Sequence, residues 1–125
     1  MKIRSDYTCP LEVVHDFIRG KWKTIILFKL RNGGVSLADL ERGISGISQK
    51  MLLEQLGELA AFGFVGKNSS GGYPLHVEYF LTEPMGRKML EAVLIMQDIG
   101  VVYMAEHGMT DVLDQKGIDY RNRRL

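Results

Sequence analysis

Ser48, Gln49 and Lys50 carry the most definite chemistry in the chain. A serine ahead of an apolar-periodic run reads as a helix N-cap. The first turn of such a helix leaves backbone N–H groups unpaired, and together with the helix dipole they attract a phosphate. Gln49 could read a base edge, most simply adenine, and Lys50 could reach guanine or a phosphate. If Leu52, Leu56 and Leu59 mark the buried side of that helix, the opposite side carries Lys50, Glu54, Gly57 and Ala61, with Leu53 beside them. Glu54 has two readings: an acceptor for cytosine N4, or a charge that repels phosphates. Gln49 and Lys50 are equally what any exposed helix carries. Farther along, Lys67, Asn68, Ser69, Ser70 and His76 suit phosphate or minor-groove contact, or form a plain solvated loop. Arg19, Lys21 and Lys23 could flank the same site, with Lys23 on the side of its helix away from Trp22, although Lys21 could simply border that tryptophan.

Cys9 is the single cysteine, so an internal disulfide and a cysteine-based zinc site are both excluded. Thr8-Cys9-Pro10 reads as a helix start, since proline suits the first helical turn. Helix N-termini favour thiolates, which suits a redox or electrophile switch. The other reading of Cys9 is a small apolar residue packed into the core. His15, His76 and His107 have no metal-ligand spacing, and no cofactor is expected.

The elements that must position these groups follow from periodicity and punctuation. Leu11, Val14, Phe17 and Ile18 repeat at helical spacing, and 21–30 forms a second helix ended by Asn32-Gly33-Gly34. Ser36-Leu37-Ala38-Asp39 is a capping-box-like start for a short helix to about Arg42. A glycine-containing turn over 43–46 leads to the helix capped by Ser48, which Gly63 closes. Phe64-Val65 and 77–81 read as two strands, so a β-hairpin follows the helix-turn-helix pair. The predicted fold is therefore mainly α with a small β-hairpin wing: a winged helix-turn-helix with dimerisation helices at its N- and C-termini.

The chain then turns helical from Gly86 to about Ala105, with Lys88, Glu91 and Asp98 as a narrow polar strip. A helix apolar almost all round must be buried on more than one side. One domain of this size lacks the mass to wrap it, so a second copy is the expected cover. Gly100 marks a weak point or kink, Gly108 the end, and 109–117 a last short helix. Met85, Met89, Met96 and Met104 either fill core or line a pocket for an effector whose identity no residue reveals. The organisation expected is a single domain over 1–125, with a DNA-binding body at about 9–82, C-terminal dimerisation helices at 85–117 and a basic tail at 118–125 that is solvated and mobile.

Net charge is only +1, yet it is unevenly spread. Residues 19–67 hold eight Lys and Arg against four Asp and Glu, whereas 78–119 hold three against eight. The basic half is the one suited to a polyanion. No stretch reads as a signal peptide, and no apolar run approaches the roughly 20 residues of a membrane span. The expectation is a cytoplasmic protein without a membrane partner. No nucleophile–base pair, carboxylate cluster or phosphate loop points to an enzyme.

Several blocks in order carry a family resemblance: Cys9-Pro10, Gly20-Lys21-Trp22, Ile26-Leu27, Gly46-Ile47-Ser48-Gln49-Lys50-Met51-Leu52, Glu58-Leu59, Gly63-Phe64-Val65 and Val77-Glu78-Tyr79-Phe80-Leu81-Thr82. Over about 9–100 the chain resembles the HxlR-type winged-helix regulators, related in shape to MarR-like regulators. The resemblance implies a homodimer joined through its C-terminal helix, with two recognition helices, each beginning at Ser48, in successive major grooves of a near-palindromic duplex operator. It also implies that Cys9 can sense electrophiles or oxidants. The chain departs from the family pattern at Ser36-Leu37, where Arg-Phe is usual, at Gly57, where Arg is usual, and at Pro74-Leu75-His76, where Pro-Pro-Arg is usual. It also has one residue more than usual between Thr82 and Gly86. These departures remove cationic contacts. The expected function is sequence-specific transcription regulation by a DNA-binding homodimer; the alternative is a winged-helix protein-interaction module that makes no DNA contact.

Overall fold

The computed structural model describes residues 4–69 and 76–125, which fall into two compact units, Met1–Leu90 and Glu91–Leu125. In the first unit, α1 (Pro10–Phe17) begins where the fixed φ of Pro10 suits the first helical position, with Cys9 as its N-cap. Phe17 lies 4.9 Å from Phe62 and 5.0 Å from Phe64, ring centre to ring centre. Leu11, expected on the buried stripe, is instead 75% exposed. α2 (Lys23–Lys29) starts two residues later than the spacing suggests and, with Leu30 just beyond it, buries Ile26 and Leu27.

Two serines set the next two helices. The Ser36 hydroxyl accepts from the Asp39 N–H at 3.1 Å and opens α3 (Leu37–Gly43). The Ser48 hydroxyl accepts from the Met51 N–H at 3.1 Å and opens α4 (Gln49–Ala61). Each hydroxyl satisfies a backbone donor that the helix itself cannot. Between these helices the buried side chains of Ile44 and Ile47 plug the turn. α4 ends on Gly63 at φ +91°, where its N–H bonds the Ala60 carbonyl and the Phe64 N–H bonds that of Leu59, both at 3.0 Å. This paired closure needs a left-handed residue, which glycine supplies without strain.

The chain then forms an antiparallel sheet in the order β1-β3-β2. β2 (Val65–Ser69) pairs with β3 (Val77–Leu81) in the register Val65↔Leu81, Lys67↔Tyr79 and Ser69↔Val77. The hairpin is the expected one, but its first strand extends through Asn68 and Ser69, which the sequence places in a loop. A third strand, β1 (Val35–Ser36), which the sequence pattern does not predict, pairs with β3. At the base of the hairpin, Thr82 joins three segments. Its N–H bonds the Phe64 carbonyl at 3.0 Å, its hydroxyl donates to the Gly63 carbonyl at 2.6 Å, and the same oxygen accepts from the Gly86 N–H at 3.1 Å.

α5 (Met85–Glu106) continues as one helix through Gly100. In the second unit, Val93, Val101 and Leu113 are buried, the last from α6 (Thr110–Gln115). In the tail, the Arg123 guanidinium bonds the Asp98 carboxylate on α5 and the Asp119 carbonyl. No helix among the described residues is long and apolar enough to cross a membrane.

Candidate nucleic-acid interface

α4 separates its faces cleanly. Leu52, Leu56 and Leu59 are at most 2% exposed, while Gln49, Lys50, Leu53, Glu54 and Gly57 are exposed on the other side. The first turn, fixed by the Ser48 cap, therefore presents Gln49 and Lys50 to solvent with backbone N–H groups free of intrahelical partners. Leu53, 44% exposed, follows one turn later. Gly57 follows one turn beyond that, and a Cβ there would meet no atom within 4 Å.

The sheet extends this surface. A shallow groove runs between α4 and the hairpin, with Leu53, Gly57 and Ala60 on one wall and Gly66, Lys67 and Tyr79 on the other. Lys67 and Ser69 are exposed on β2, and His76 is exposed beside β3 with Nε2 3.2 Å from Glu78 Oε1. Ser48, Gln49, Lys50, Leu53, Glu54, Lys67, Ser69 and His76 thus lie on exposed backbone of α4 and the hairpin. Ser70 lies outside the described residues.

Lys23 does not belong to this surface. Its side chain is 3% exposed, and its ammonium donates to Glu58 Oε2 at 2.7 Å and to Gln55 Oε1 at 2.8 Å, both on α4. The bond from Lys23 holds the Glu58 carboxyl below its usual pKa, against the burial that would raise it. The sequence holds the signal for this burial, because Lys23, Ile26, Leu27 and Leu30 share one helical stripe. Arg19 is bonded to Asp16 at 2.6 Å, and the Lys21 ammonium sits 4.6 Å over the Trp22 ring.

Cys9 is exposed and so does not pack as core. Beside it, the Glu12 carboxylate accepts from the Thr8 N–H, the Thr8 hydroxyl and Arg4. Among the described residues, no group of three or more His, Cys, Asp or Glu is placed to hold a metal ion.

The HxlR-like helix-turn-helix family model matches residues 17–108, the span from the end of α1 to just past α5. The chain belongs to the HxlR-like helix-turn-helix family. This HxlR-like chain is 42% identical over 77 residues to the HTH-type transcriptional regulator YkvN of Bacillus subtilis, a match covering 62% of this chain and 65% of YkvN. It is 38% identical over 90 residues to the HTH-type transcriptional regulator YtfH of Escherichia coli, covering 72% and 71% of the two chains. Among solved structures it is similar to the redox regulator HypR in its oxidized form, with 39% identity and a TM-score of 0.70 over 74% of this chain and 94% of HypR. YkvN and YtfH are described as HTH-type transcriptional regulators and HypR as a redox regulator, and the HxlR-like chain has a winged helix-turn-helix fold.

Proposed function

We propose that the chain regulates transcription by binding a near-palindromic duplex as a symmetric homodimer. In this reading α4 enters the major groove by its Ser48 end, and Lys67, Ser69 and His76 touch the flanking backbone or minor groove. The observation that carries it is the capped, exposed first turn of α4, a helix held by its leucine face so that Gln49, Lys50 and Leu53 point outward together. Gln49 would read adenine, and Leu53 offers an apolar contact suited to a thymine methyl group. Ser70, outside the described residues, would add a further contact. Glu54 would face cytosine N4 or disfavour other bases.

Dimerisation through α5 is supported by its bare apolar surface. Ile95, Ile99 and Tyr103, one turn apart, are 64%, 53% and 54% exposed, and Met109 and Val112 add to the exposed apolar surface of the second unit. Soluble monomers rarely leave a contiguous apolar patch of this kind uncovered. Thiol sensing through Cys9 is supported by its exposure at the start of α1 and by the redox regulator among the similar structures.

Selecting bound sequences from a random duplex pool tests this reading. Two inverted half-sites about one helical turn apart are expected. Recovery of no enriched sequence would remove it in favour of a protein-interaction module. For Cys9, alkylation with a quinone should change operator affinity; unchanged affinity of the fully alkylated protein removes the sensor role.

A further inference from the structure

We propose that Lys23 is a positioning residue that sets the roll of the recognition helix. This rests on the reading of α4 as that helix, and it concerns a residue that touches no ligand.

Apolar packing holds α4 against α2 without specifying direction, because leucines tolerate small rotations about the helix axis. Lys23 supplies the direction. Its ammonium meets Gln55 and Glu58, three residues apart on one face of α4, at 2.8 and 2.7 Å. The contacts continue toward the exposed end. Gln55 Nε2 donates to the Met51 sulfur at 3.6 Å, and the Met51 N–H donates to the Ser48 hydroxyl. A buried cation on α2 is thus linked, turn by turn, to the cap that presents Gln49 and Lys50.

Such a pair is a poor source of stability, since apolar residues of similar volume often serve as well or better in its place. Its contribution is geometric. With side chains reaching roughly 5–6 Å from the helix axis, a roll of about 20° moves a side-chain tip by about 2 Å. That exceeds the tolerance of a base-edge hydrogen bond.

The test compares the full-length protein with the double variant Lys23→Met/Glu58→Met. Melting temperature, hydrogen exchange at the Leu52, Leu53 and Gln55 amides, and affinity for the selected operator relative to an unrelated duplex are measured. The variant should melt no lower than the wild type. Its α4 amides should exchange about 10-fold faster while those of Ile26 and Leu27 are unchanged. The operator-to-unrelated ratio should fall about 10-fold, with an unchanged salt slope. A folded variant with wild-type exchange or a wild-type ratio overturns the proposal. If the double variant does not fold, Glu58→Gln is read in the same way, and unchanged exchange again overturns it. If the wild-type protein binds no duplex, the DNA reading falls separately and amide exchange alone decides whether Lys23 sets the helix.

Discussion

The Tyr7 hydroxyl donates to Asp16 Oδ2 at 2.7 Å and so ties the segment before α1 to the last turn of that helix. With Arg19 and Arg4 also facing it, this bond holds the Asp16 carboxyl below its ordinary 3.8, and Thr8 does the same for Glu12 below 4.5. A carboxyl depressed in the folded state stabilises fully above its unfolded pKa, and the contribution is lost as pH falls through the folded one. Thermal stability should therefore be flat near neutrality and decline as pH drops below about 4.5. Tyr7→Phe should lower the melting temperature near neutrality and make its acid decline shallower, the two profiles of melting temperature against pH converging at low pH. Superimposable profiles would show that the bond does not set the Asp16 titration.

Two glycines should respond oppositely to alanine. At Gly57 an added Cβ meets open space, so Gly57→Ala should stabilise by up to about 1 kcal/mol through helix propensity. At Gly86 the added Cβ would lie 2.3 Å from the Phe64 carbonyl oxygen and 3.0 Å from the Thr82 hydroxyl. Gly86→Ala should cost about 1–3 kcal/mol, the usual scale for overpacking. Urea midpoints of the two variants should lie on opposite sides of the wild type.

Arginine is the residue that the family resemblance implies at position 57, and its Cβ would meet no atom within 4 Å there. Gly57→Arg should tighten duplex binding and steepen the dependence of log K on log salt by about 1.8, one phosphate contact from each chain of the dimer. Binding titrations at several salt concentrations measure this. An unchanged slope would mean that this face of α4 does not approach the backbone.

Gln49→Ala should relax selectivity at one base pair of each half-site by about 1–3 kcal/mol, whereas Lys50→Ala, if that lysine holds a phosphate, should weaken all sequences alike. Competition among single-base operator variants separates the two effects.

An acidic residue on the bare stripe of α5 tests the dimer. Ile99→Glu should halve the mass in sedimentation at micromolar concentration while retaining its far-ultraviolet dichroism. A wild-type mass would place the interface elsewhere.

What the sequence made legible is what is locally determined. The caps at Ser36 and Ser48, the leucine face of α4 and the closure at Gly63 follow from spacing and residue type within a turn or two. The errors share a long-range cause. Lys23 shares a helical stripe with Ile26, Leu27 and Leu30, yet its charge reads as a surface cation because the groups that satisfy it lie 32 and 35 residues away. β1 has only two residues and exists through its pairing with β3, so it shows no pattern of its own. Asn68 and Ser69 have weak strand preference, and pairing with Glu78 and Val77 overrides it. The Arg123 contact is not legible because its partner Asp98 lies 25 residues back.

Equilibrium binding to the selected operator as a function of salt, with the number of chains bound per duplex determined by sedimentation, is the most direct measurement. Two chains per duplex are expected, with affinity falling roughly 10- to 1,000-fold between about 50 and 200 mM salt. A single chain per duplex, a flat salt response or no binding at low salt would contradict a dimer that grips DNA through the Ser48 end of α4.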